Sequence, residues 1–146
     1  MKIIIETIPH KDQRYPTCGD WYFEPEIQFH DDGPPTEGKK LVIRVSEEMG
    51  ADSCFLVAIH ELVECYLATH RGVTVEEVDE FDKAYEKSHR VGGKLSGERT
   101  DDSEPGDDPK CPVFKEHGVA TAIETLLCSE LGIPWPEHGK RVEELP

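Results

Sequence analysis

The sequence predicts an α+β fold, a small, mostly antiparallel sheet packed against three helices. Three observations carry that prediction. Strand patterns crowd into residues 1–46. Helical patterns follow over 51–71, 74–88 and 116–131. One long acidic loop, 89–115, separates the second helix from the third. No internal repeat or linker divides the 146 residues, which fits a single domain.

Lys2–Ile8 is rich in β-branched residues, with a polar break at Glu6. Trp21–Phe29 is aromatic, and Pro25 assigns it to an edge strand or a bent hairpin arm, because proline cannot donate to a ladder. Asp31-Asp32-Gly33-Pro34-Pro35 reads as a turn. In Leu41–Ser46, Leu41, Ile43 and Val45 alternate with Val42, Arg44 and Ser46, the pattern of a half-buried strand.

The first helix, from Ala51 to Arg71, is the most apolar segment, and Gly72 suits the position after its end. The second begins at a capping box, Thr74-Val75-Glu76-Glu77, and buries Val75, Val78, Phe81 and Tyr85. The third ends before Gly132 and Pro134. On it, Val119, Ile123 and Leu126 are expected to face the core. The tail after Trp135 reads as a short packing segment.

Acids outnumber bases by 31 to 16, a formal charge of −15. That excess argues against phosphate neutralisation, so nucleic acid is not an expected partner. It suits cations or a basic protein reached by electrostatic steering. No apolar run of about 18 residues exists to cross a membrane, and the N-terminus meets Glu6 too early for a signal peptide. Cys18, Cys54, Cys65, Cys111 and Cys128 are odd in number and form no C-x-x-C pair. They read as reduced thiols of a cytoplasmic protein.

The chemistry concentrates in Ile59-His60-Glu61-Leu62-Val63-Glu64. His60 and Glu64 lie one turn apart on one helix face, and Glu61 borders it. Ionised carboxylates on so apolar a helix need a metal, an arginine or a proton. Two ligands at i and i+4 grip one ion, and a glutamate at i+1 can take a proton from metal-bound water, the logic of H-E-x-x-H. Here Glu64 replaces the second histidine, giving H-E-x-x-E, and carboxylate remains a competent zinc ligand. The plainer alternative is a polar stripe facing solvent.

A third ligand is expected from His117, which forms a stripe with Thr121, Glu124 and Cys128 at helical spacing. His60, Glu64 and His117 then supply the ligand count of a catalytic zinc site, with Glu124 as a fourth ligand or a support for the His117 ring. Zinc is the expected metal, and other divalent ions fit the same donors. In the loop, Asp107 or Asp108 could point into the site or cap the following turn. Tyr15 and Cys65 are candidate neighbours that no pattern places. His30-Asp31 has no helix context or partner histidine, and His70 and His89 sit near helix ends, where a cation favours the dipole.

At His60-Glu61-Leu62-Val63-Glu64 and Gly106-Asp107-Asp108-Pro109 followed by His117, the chain resembles a group of small phage and prophage proteins. The Glu6-Thr7-Ile8-Pro9-His10 start and the Arg14-to-Trp21 run are similar to theirs too. That resemblance implies origin, in a bacterial or phage-infected cytoplasm, rather than an activity. A wider resemblance, to zincin-type metallopeptidases, rests on the active helix beside a small sheet. It implies that His60 is a ligand and Glu61 the general base, while Glu64 departs from the pattern.

Two alternatives stand beside a metal-dependent hydrolase. One is a non-enzymatic acidic protein that binds a basic host partner and keeps a structural metal or polar cluster. The other is a magnesium-dependent nucleotide pyrophosphohydrolase, which requires Glu61, Glu64, Glu76 and Asp79 to converge.

Overall fold

A computed structural model describes residues 1–146. Strands β1 (Lys2–Ile8), β2 (Gly19–His30) and β3 (Gly33–Ser46) form one sheet in the order β1-β3-β2. Helices α1 (Ala51–His70), α2 (Val75–Ser88), α3 (Phe114–Glu130) and α4 (Trp135–Glu143) follow. The α+β expectation is met, with two differences. The sheet is mixed, because β1 runs parallel to β3 while β2 runs antiparallel. There are also four helices rather than three.

The middle strand carries the core. Leu41, Ile43 and Val45 are almost wholly buried on the face that meets α1, joined there by Trp21, Val57, Ala58 and Cys65. Pro25 sits on β2, an edge strand, where its missing N–H costs nothing on the open side.

α1 closes at Arg71, and Gly72 takes a positive φ of 86°, which lets Val73 N–H reach back to the Ala68 carbonyl. α2 opens at the capping box foreseen at Thr74 and Glu77. The tail after Trp135 is helical. Pro134 and Pro136 fix its first turn, where proline's missing N–H has no helical partner to lose.

α3 packs mainly along α1, and the face it buries is the polar one. Ala120, Glu124 and Cys128 are inside, whereas Val119 and Leu126 are 46% and 62% exposed. The expectation that Val119, Ile123 and Leu126 face the core is therefore reversed for Val119 and Leu126, while Ile123 is half-buried. The polar stripe goes inward because its groups find partners: Glu116 takes the Arg71 guanidinium at 2.6 Å, and Glu124 takes two histidines.

The loop before α3 is pinned from below. Glu86 of α2 is 3% exposed and holds Arg90 at 2.7 Å and Arg99 at 3.0 Å. Arg90 and Arg99 also face each other across a backbone bridge. One buried carboxylate thereby shapes the segment that leads to the turn at Pro105–Asp107.

Candidate metal centre

α1 and α3 bring three ligand atoms to one point. His60 Nε2 lies 3.1 Å from His117 Nδ1, His117 Nδ1 lies 3.1 Å from Glu64 Oε2, and His60 Nε2 lies 3.5 Å from Glu64 Oε2. Zinc held tetrahedrally at about 2.0–2.1 Å keeps its ligand atoms roughly 3.3–3.4 Å apart. The triangle brackets that spacing. All three side chains are close to fully enclosed.

Each ligand atom is aimed by a second contact. His60 Nδ1–H donates to Glu124 Oε2 at 2.8 Å, which turns Nε2 toward the triangle. Glu124 Oε1 accepts from His138 Nε2 at 2.7 Å, and His138 Nδ1 meets the Ser53 hydroxyl at 3.0 Å. Glu64 presents Oε2 because Trp21 Nε1–H occupies its other oxygen at 3.3 Å. His117 points Nε2 at Asp107 and Glu104, 3.6 and 3.7 Å away, leaving Nδ1 for the triangle. Gly106 lies flat under the His117 ring, where a Cβ would overlap it.

Glu124 is thus outside the triangle, and it supports His60 rather than His117. Glu61 lies against the backbone of Gly19, at the start of β2. Asp108 caps its own turn, accepting from Lys110 N–H at 2.8 Å. Tyr15 is buried and donates to Asp82 at 3.2 Å. Glu76 is exposed on α2, and Asp79 is tied to Arg14 at 2.8 Å, so neither joins Glu61 and Glu64. His30 is exposed near the hairpin turn. His138 joins the cluster without a ligand spacing in the sequence to announce it. Its one signal was a proline-started segment, Pro134-Trp135-Pro136, long enough for two helical turns.

The electrostatics of the cluster are set by histidines paired with buried carboxylates. Burial works to lower the His60 pKa, but its hydrogen bonds to Glu124 and Glu64 outweigh burial and raise it to about 11. Burial works to raise Glu64 and Glu124, yet the neighbouring histidines hold each at about 2. Glu61 moves the other way, pushed well up by burial and then by the charge of Glu64. Two anionic carboxylates bracket His60, and a cation is what satisfies them. A proton on His60 does so in the metal-free protein, and a metal ion can take its place.

The triangle opens on a cleft of about 1390 Å³, whose walls include Glu61, Tyr15, Gly19 and the turn at Glu104–Asp107. No helix is long and apolar enough to cross a membrane. Comparisons of the chain with protein-family models, curated proteins and solved structures return no match.

Proposed function

We propose that the protein is a metal-dependent hydrolase that holds one divalent cation, zinc by preference, on His60 Nε2, Glu64 Oε2 and His117 Nδ1. The observation that carries this reading is the triangle of 3.1, 3.1 and 3.5 Å among two imidazoles and one carboxylate. Two histidines and one glutamate are a ligand set of catalytic zinc, which keeps its fourth position for water or substrate. A cleft on the open side supports catalysis over a purely structural role, which would use four protein ligands and no pocket.

When bound, the cation supplies Lewis acidity: it polarises the scissile group and lowers the pKa of water. The chain supplies the rest. Glu61, one residue beyond a ligand and facing the cleft, accepts the proton of the attacking water and passes it to the leaving group. Glu124 and His138 hold the His60 ring in the productive tautomer, and Trp21 holds the Glu64 carboxylate.

The test is hydrolysis of a panel of peptide and ester substrates by zinc-loaded wild type and Glu61→Gln. The reading expects Glu61→Gln to keep its zinc and to lose on the order of 10²–10⁴ in turnover. Equal turnover in the two proteins would remove Glu61 from the mechanism.

A further inference from the structure

We propose that the cleft over this centre receives a cationic polypeptide segment, with lysine or arginine beside the bond presented to His60, Glu64 and His117. The proposal rests on the hydrolase reading only for where the scissile bond lies. The preference for positive charge stands on the cleft walls.

Among the residues lining the cleft, Asp and Glu outnumber Lys and Arg by eleven to three. The pairing matters more than the count. Arg90 and Arg99 are both held by the buried carboxylate of Glu86, leaving Lys11 as the remaining lining cation. Glu64 and Glu124 are likewise engaged with histidines. Glu98, Asp102, Glu104 and Asp107 on the loop, with Glu143 on α4, line the cleft and share in no lysine or arginine ion pair.

Two of these flank the centre itself. Glu104 and Asp107 reach within 3.7 and 3.6 Å of His117 Nε2 while staying 53% and 75% exposed at their side chains. Both line the same cleft as the triangle. A cleft lined by one sign of charge focuses the field between its low-dielectric walls and raises the local concentration of the opposite charge. A phosphoester would bring further negative charge to these carboxylates, with both lining arginines already committed. A neutral amide flanked by ammonium or guanidinium groups meets no such penalty. A cleft of about 1390 Å³ exceeds the roughly 300–1,000 Å³ of a small-molecule pocket, which suits a chain segment better than a compact metabolite.

The experiment is fluorescence anisotropy of a labelled lysine-rich peptide, the same peptide with glutamate in place of lysine, and a phosphorylated version of the latter. The proteins are wild type, the cleft pair Glu104→Gln/Asp107→Asn, and the distant pair Glu76→Gln/Glu80→Gln on the exposed face of α2. Both pairs remove two charges at accessible positions, so circular dichroism should report intact folds. The expected result is binding of the lysine peptide alone, weakened roughly tenfold by the cleft pair and less than about twofold by the distant pair. Equal weakening by both pairs would mean only bulk charge attraction, and would overturn the proposal. Failure of the lysine peptide to bind, or tighter binding of the phosphorylated one, would also overturn it. Zinc content of the same samples reports separately on the centre: peptide discrimination without zinc would sink the hydrolase reading and keep this one, and zinc without discrimination would do the reverse.

Discussion

His60 and Glu124, 64 positions apart in the chain, meet at 2.8 Å through His60 Nδ1 and a carboxylate oxygen. That bond fixes which nitrogen of His60 is free. It also joins α1 to α3 at the depth where the ligand triangle forms, so the fold and the centre share one contact.

Glu124→Ala removes this support without touching a ligand atom. Loss of such an outer partner typically costs 10–100-fold in metal affinity. Zinc competition with a chromogenic chelator should show a drop of that order, with about one binding site retained per chain.

His138 is 2% exposed and bonded at both ring nitrogens. His138→Ala leaves Glu124 and Ser53 each short of a buried partner and opens a small cavity. A loss of about 2–4 kcal/mol in urea unfolding is expected. A change under about 0.5 kcal/mol would mean that α4 is not docked through this residue.

Two glycines separate the ligand from the base. A Cβ at Gly106 would strike the His117 ring, whereas a Cβ at Gly19 would strike the end of the Glu61 side chain. Gly106→Ala should therefore lose zinc. Gly19→Ala should keep zinc and lose turnover, measured on the same preparations.

In the metal-free protein the joint contribution of His60, Glu64 and Glu124 is full between about pH 4.5 and 6.5. Glu61 and Asp82, which burial pushes up (Asp82 to about 7), lose stability as pH climbs through that window and place the maximum at its acid end. His60 rises from 6.5 to about 11 on folding, so its contribution is full below pH 6.5 and disappears as pH climbs toward 11. Glu64 and Glu124 fall from 4.5 to about 2, so theirs is full above pH 4.5 and is lost as pH drops toward 2. Thermal unfolding across pH, in chelator, should show a maximum near the acid end of that window, with losses on both sides. Zinc must displace the His60 proton, so its binding should release protons and tighten as pH rises.

Glu86→Gln leaves two arginines facing a neutral amide under the loop. Limited proteolysis should then cut residues 89–108 faster than in wild type, with on the order of 2 kcal/mol lost from global stability. Unchanged cleavage would show that the loop holds its shape without this pin.

How much of this could be read from the residues alone depended on periodicity. His60, Glu64 and His117 were legible because i+4 spacing and a polar helical stripe leave few places for them to point. The parallel pairing of β1 was not, since alternation gives a strand's faces and not its direction. Val119 and Leu126 run against their apolar pattern because the polar stripe of α3 finds buried partners and goes inward instead. His138 escaped because its helix is short, polar and opened by prolines. The loop was legible as a break, but not its anchor, because Glu86 looks like any acid on an amphipathic helix.

The most direct test is the zinc content of protein purified without a metal-binding tag, with His60→Ala and His117→Ala run alongside. About one equivalent of zinc is expected in wild type and none in either variant, since each removes one corner of a shared triangle. Wild type that stays metal-free after equilibration with zinc or manganese would contradict it, and would leave His60, Glu64 and His117 as a proton-bridged packing network.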